Sequence, residues 1–315
     1  MVGRRLPDGE GSRGVMRSPT YLITGASGFV GRHLAARLGQ RAVALYNNRP
    51  ISGGVQFDGG TMRLRDSLLR EGHEFTHAFL LHGITTMDLC ARAPVATGQV
   101  NVDGMKRMID DLIEEGITPV YASSDAVFDG TEGGYTEDSP LNPILVYGSQ
   151  KAEIETYLKG RQEPWLIARL SKVVGTDTGT HSLFGEWIEA INAGNIIRCA
   201  HDQVFSPVSV DDVVRALVSL AESGRTGLFN VCGPRALSRL DLLDIFLDAI
   251  RGDHPVKANV VPCSLRDIAF AEARPLNSSL NPDKLYRSLG GEFKDMLTIC
   301  KEVSANLNGG WIDIR

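Results

Sequence analysis

The chain has 315 residues, 43% of them hydrophobic and 23% charged, with a formal net charge of -5. That length can bury a large core in one α/β unit or two closely joined ones, and the acidic balance excludes a global basic field for nucleic acid or an anionic membrane. Five widely spaced cysteines, Cys90, Cys199, Cys232, Cys263 and Cys300, have no C-x-x-C pair, which argues against a disulfide framework or zinc site and for a reduced cytoplasmic setting.

Residues 1–18, rich in Gly and Arg, read as a disordered tail, with Met16 as an alternative start. No apolar run approaches the roughly 18 residues of a membrane helix. Short apolar runs then alternate with helical patterns: Tyr21 to Thr24, a helix from about Gly28, Ala42 to Tyr46, Ala78 to Leu81, a helix over Val100 to Glu115, Pro119 to Ser123, and Trp165 to Leu170. Such alternation predicts repeated βαβ units, an α/β fold built on a Rossmann-type doubly wound parallel sheet. The sheet unit spans 19–175. Beyond Thr176 prolines break the pattern into short pieces, predicting a smaller unit over 176–201 and 233–315, with 202–232 returning to the sheet. Within that return, Val210 to Ala221 has helical periodicity, with Asp211 and Asp212 in its first turn.

The first strand runs into Thr24-Gly-Ala-Ser-Gly-Phe-Val-Gly31. In this G-x-x-G-x-x-G, glycines permit a tight turn, close approach of a pyrophosphate, and packing of helix on strand. The helix N-terminus adds unpaired N–H groups for the phosphates. A phosphate-binding loop of the Gly-Lys-Ser/Thr kind is excluded, because that triplet is absent here. Gly25, Ser27, Gly28, Phe29, Val30 and Gly31 are therefore the residues expected against a dinucleotide. After the second strand come Asn48 and Arg49 in place of the acidic residue that favours NAD, so NADP(H) is preferred, with NAD(H) still open. Asp58 either meets the adenine edge or forms a turn.

Tyr147-Gly-Ser-Gln-Lys151 places a phenol and an ammonium four residues apart, on one face of a helix. A phenol with an ordinary pKa near 10 needs a nearby cation to stabilise its anion, and Lys151 can serve. Ser123, Ser124 and Asp125 close the apolar strand some two dozen residues earlier, at the carboxyl edge of the sheet.

Together these pieces resemble an extended short-chain dehydrogenase/reductase, similar to the dTDP-4-dehydrorhamnose reductase family, from Tyr21 to Gly290. Ser123-Ser-Asp-Ala-Val-Phe-Asp-Gly130 resembles S-T-D-Y-V-F-x-G; Arg169-Leu-Ser-Lys-Val-Val-Gly175 resembles R-T-S-W-V-Y-G; Asp202-Gln-Val-Phe-Ser-Pro resembles D-Q-x-G-x-P; and Arg274-Pro-Leu-Asn-Ser-Ser-Leu resembles R-P-x-N-S-x-L. The resemblance implies reduction of a 4-keto sugar nucleotide by NAD(P)H, with Ser124, or less favourably Ser123, holding the carbonyl oxygen. Tyr147 would donate the proton, and Lys151 would lower the tyrosine pKa and bind the nicotinamide ribose. Asn101 would support the site from the central helix. Asp125 and Arg274 would join the substrate, the latter at its diphosphate. The smaller unit becomes the substrate-binding domain.

Several positions depart from the pattern, among them Asn281 in place of an aspartate. Ala126 stands in place of a tyrosine and Lys172 in place of a tryptophan, both expected to face the sugar; His82-Gly83 follows the fourth strand where small alanines are usual. Rival readings are an NAD-dependent epimerase or dehydratase, a general ketone reductase, and a non-enzymatic partner resembling the regulatory subunit of methionine adenosyltransferase. A homodimer fits the class. No metal is expected: His73 and His77, four apart as on one helix face, lack a third ligand and read as a surface pair.

Overall fold

The computed structural model describes residues 20–71, 74–176, 182–252 and 256–307. The expected tail at 1–18 lies outside the described residues. The first half contains β1 (Thr20–Thr24), α1 (Phe29–Leu38), β2 (Ala42–Tyr46), β3 (Val55–Gln56), β4 (Phe75–Leu80), α2 (Met87–Arg92), α3 (Pro94–Gly98), α4 (Met105–Glu114), β5 (Thr118–Ser124), α5 (Val146–Lys159) and β6 (Leu166–Leu170). There follow β7 (Val173–Val174), α6 (Leu183–Asn192), β8 (Ile196–Ala200), β9 (Val204–Phe205), β10 (Val208–Ser209), α7 (Val210–Glu222), β11 (Gly227–Val231), β12 (Leu237–Ser238), α8 (Arg239–Arg251), β13 (Asn259–Cys263), α9 (Asp283–Leu289) and α10 (Met296–Leu307).

Seven strands form one parallel sheet in the order β11-β6-β5-β4-β1-β2-β3. The chain winds outward from β1 through β2 and β3, then crosses back to β4 on the other side. The carboxyl ends of β1 and β4 therefore flank the point where winding reverses, the crevice where ligands settle in such sheets. Buried strands with both faces covered read as near-continuous apolar runs, and Leu22, Ile23, Ala78, Phe79 and Leu80 are fully buried. One core, with Ile23, Phe79, Val120 and Ala168, packs against α1 and α7; the opposite face, with Leu22, Leu80, Tyr121 and Ile167, packs against α4 and α5.

Helix α7 packs against α1, and β11 pairs with β6 at the edge of the sheet. A separate core built on Phe184, Trp187, Phe246 and Ile299 joins α6, α8 and α10, with the Phe184 and Phe246 rings stacked at 5.0 Å. Residues 283–293 depart from the expected division: Leu285 and Phe293 are buried in the sheet core beside Val213 and Leu217 rather than with the smaller unit. The expected helix from Val100 begins as a π-helical turn over Gln99–Gly104 before α4. His77 lies on β4, where neighbours alternate across the sheet, so it shares no helix face with His73, which is outside the described residues. Among the described residues no helix is long and apolar enough to cross a membrane.

Candidate active site

The turn after β1 is shaped by its glycines. Gly25 has φ +69°, and a Cβ there would stand 2.7 Å from the His82 nitrogen. A side chain at Gly31 would collide with the Gly25 carbonyl, so helix and turn touch only because both residues are bare. Gly28 is the exposed N-cap of α1, without a side-chain cap and without an acidic residue in the first turn. The ten-residue helix thus presents open N–H groups and its positive end to the crevice. This is a fit for an anionic pyrophosphate. Ser27 is half-buried in the same turn, Val30 packs toward the core, and the Phe29 ring lies where a side chain at Gly175 would otherwise stand.

Two strands along the same sheet, β5 and α5 bring the catalytic candidates together. Ser124 ends β5 and caps a short 3-10 turn, its Oγ accepting from the Ala126 N–H at 3.1 Å and donating to Asp125 Oδ1 at 3.0 Å. Tyr147 and Lys151 rise from the first turns of α5, both largely buried. The Lys151 ammonium donates to the Ala122 carbonyl at 2.7 Å and lies 4.7 Å from the Tyr121 ring centroid and 5.7 Å from that of Tyr147. Burial pushes the Tyr147 phenol well above its usual pKa and the Asp125 charge adds to this, while a hydrogen bond with Ser124 opposes it. Burial lowers the Lys151 pKa to about 8, against the attraction of Glu155. Burial is thus the largest influence on the Tyr147 phenol.

A buried acid lies alongside. Asp125 accepts from Ser278 at 3.0 Å and from Ser171 at 3.4 Å, and desolvation raises its pKa to about 6 despite these bonds and the Lys172 charge. Behind Lys151, Glu155 and Arg169 form a fully buried bidentate pair, Nε to Oε1 at 2.9 Å and Nη2 to Oε2 at 2.7 Å.

The match to the family model described as RmlD substrate binding domain runs over residues 19–307. The chain belongs to this family. Among its relatives is a dTDP-4-dehydrorhamnose reductase from Aggregatibacter actinomycetemcomitans, 26% identical over 297 residues that cover 90% of this chain and 98% of the relative. A methionine adenosyltransferase 2 subunit beta from Rattus norvegicus is 25% identical over 85% of this chain and 82% of its own length. Among solved structures, a dTDP-4-dehydrorhamnose reductase from Bacillus anthracis in complex with NADP superposes with a TM-score of 0.80 at 21% identity, over 91% of this chain and 99% of that one.

Within the family fold, several expected site residues are turned elsewhere. The Ser123 hydroxyl donates to Glu155 Oε1 at 2.6 Å and serves the buried ion pair rather than the sheet edge. Ala126 is 2% exposed, enclosed with Cys90, Leu145 and Tyr147, so it lines no open sugar surface. The Asn101 amide pairs with both backbone groups of Ile84, at 2.7 and 2.9 Å, and donates to Gln150 on α5 at 2.7 Å. The π-helical turn aims it there, a common use of such bulges. The Asp58 carboxylate accepts from the Gly60 N–H at 2.9 Å, the turn-forming alternative.

Other residues keep an open side. Asn48 and Arg49 are exposed just beyond β2. His82, which burial lowers to a pKa of about 4, lies 2.9 Å by its Nδ1 from the Thr24 hydroxyl, while its buried Nε2 has no partner among the described residues. Lys172 is exposed but recessed, and desolvation and the Arg239 charge lower its pKa. Arg274 pairs with Asp88 and lies 4.8 Å over the Phe270 ring, leaving its buried Nη1 unpartnered among the described residues. Gln150, Glu155 and Ser278 escaped the sequence reading. Each had a local signal: Gln150 and Ser278 lie inside the motifs that begin at Tyr147 and Arg274, and Glu155 stands four residues after Lys151 on the same helix.

Proposed function

We propose that this protein is an NAD(P)H-dependent reductase of a keto sugar nucleotide, with a dTDP-linked 4-keto-6-deoxy sugar as its substrate and NADPH as the preferred reductant. The observation that carries this reading is the meeting of Ser124, Tyr147 and Lys151 at the end of β5 and the start of α5, on a sheet whose first helix, α1, starts uncapped. The family match and the reductases among its members support it.

Gly25, Gly28 and Gly31 with the first turn of α1 would hold the pyrophosphate, Arg49 the 2′-phosphate, and Lys151 the nicotinamide ribose. The bound nicotinamide supplies a hydride to the carbonyl carbon. The protein's part is the proton. Ser124 Oγ holds the carbonyl oxygen, and as negative charge develops there the Tyr147 hydroxyl gives up its proton to it. A raised pKa keeps Tyr147 protonated through the neutral range, the form a donor needs. Lys151 offers the nearest ammonium to the phenolate left behind, which takes a proton back from solvent before the next turnover.

The experiment follows NADPH absorbance with enzymatically generated dTDP-4-keto-6-deoxy sugar, comparing the wild type with Tyr147→Phe. Turnover in the wild type and a loss of about 10² to 10⁴ in the variant is the expected result. A folded, cofactor-binding wild type without turnover refutes the substrate, and an active Tyr147→Phe refutes the proton donor.

A further inference from the structure

The helix that carries Tyr147 and Lys151 has no cap of its own. Its N-cap is Leu145, which offers no side-chain acceptor, and its first turn contains no acidic residue. Helices leave their first N–H groups without intrahelical acceptors, and an absent cap costs a helix rigidity where it begins. Here the first turn is also where the reacting phenol sits.

The acceptor comes from 126 residues downstream. Both carboxylate oxygens of Glu272 lie 3.2 Å from the Val146 nitrogen, whose N–H they share. The segment that bears Glu272 is itself tied down: the Ala271 N–H donates to Asp88 Oδ1 at 3.3 Å, and Arg274 pairs with the same Asp88, in the first turn of α2. Helix α2 in turn packs Met87 and Cys90 against Leu145 and Tyr147. One short strap therefore clasps α2 and the start of α5 around Tyr147.

We infer that Glu272 is a positioning residue for the proton transfer, acting as an acceptor supplied in trans that fixes the first turn of α5 and so the Tyr147 hydroxyl. The inference rests on the proposed role of Tyr147 but adds a residue that touches neither substrate nor cofactor. Small displacements of a reacting group are costly to rate, so the effect belongs to kcat rather than to substrate affinity. An amide at residue 272 retains an acceptor oxygen and preserves the contact; a side chain without one does not.

The test uses the full chain with Glu272→Ala, Glu272→Met, which keeps the length of the stem, and Glu272→Gln. Amide hydrogen exchange at Val146 needs no substrate, and because this N–H has no intrahelical acceptor its protection reports Glu272. The expected result is exchange about tenfold faster in the Ala and Met variants. Their kcat falls about tenfold with KM within about twofold, and Glu272→Gln restores both readouts. Unchanged exchange in the Ala and Met variants overturns the clasp, and faster exchange with unchanged kcat overturns positioning. A Gln variant as impaired as Ala overturns the acceptor role. If the wild type turns over none of the proposed substrate, the functional reading fails separately, and the exchange readout alone upholds or refutes the clasp.

Discussion

Ser278 donates its hydroxyl to Oδ2 of Asp125 at 3.0 Å, joining residues 153 positions apart. Ser124, whose hydroxyl meets Asp125 Oδ1 at 3.0 Å, is thereby linked through one carboxylate to the late segment of the chain. The seryl donors satisfy a carboxylate that would otherwise be costly to bury. They do not fully restore its ordinary acidity, which leaves Asp125 with a pKa of about 6 against a usual 3.8.

Asp125→Asn exposes the sign of this effect. A carboxyl whose folded-state pKa is raised is bound to its proton more tightly in the native chain. Its contribution is therefore favourable in acid and is lost as pH rises from about 4 through about 6. The variant cannot ionise. Its stability relative to the wild type should grow between pH 4 and pH 7, by at most about 3 kcal/mol, and then level off. Urea unfolding of both proteins across that range measures it, and a constant difference shows that Asp125 titrates normally.

Arg49 is exposed at the end of β2, free to meet a 2′-phosphate but contributing nothing to the core. Arg49→Glu should weaken NADPH binding about tenfold or more, by loss of a charge-assisted contact and gain of a repulsive one, and leave NADH within about twofold. Fluorescence titration with the two cofactors decides between this and a merely solvated arginine, for which both affinities stay where they were.

What could be read from the chain was what is local. The glycine turn lies within eight consecutive residues, and Tyr147 and Lys151 are one helical turn apart, so strand, turn and helix patterns place them without tertiary knowledge. Asp125 was legible for its strand end but not for its three hydroxyl donors, two of which come from Ser171 and Ser278. Ser123 and Ala126 misled because alternation along β5 and the 3-10 turn after it point them inward, toward Glu155 and toward α5. A motif preserves residue order, not which way each side chain turns. Asn101 was legible as a helix asparagine, but its partners Ile84 and Gln150 are visible only once the π-helical turn is in place.

The Glu155–Arg169 pair predicts a large structural cost. Both side chains are fully buried; Ser123 also donates to the carboxylate, and the Lys159 ammonium lies 3.5 Å from its Oε2. Glu155→Gln leaves the guanidinium uncompensated in the interior, which should destabilise the chain by about 3–5 kcal/mol. Arg169→Lys should also be poorly tolerated, since an ammonium cannot reproduce the two-pronged contact. Urea midpoints at pH 7 test both; a loss below about 1 kcal/mol for Glu155→Gln shows that water reaches the pair.

Lys151 should display a conflict between stability and chemistry. Its folded-state pKa is lowered from 10.5 to about 8, so up to about pH 8 the native chain holds a buried ammonium at a cost that the unfolded chain does not bear. Between about pH 8 and 10.5 the native state gives up that proton while the unfolded state still holds it, and the wild type gains stability. Lys151→Met removes the ionisation along with the hydrogen bond to Ala122. The variant's stability relative to the wild type should therefore decline by up to about 3 kcal/mol as pH rises through that window, even as its NADPH affinity at pH 7 is already reduced. Unfolding curves at pH 7 to 10, paired with cofactor titration at pH 7, separate the two effects. A flat stability difference means that Lys151 keeps an ordinary pKa, and unchanged cofactor affinity removes it from the ribose site.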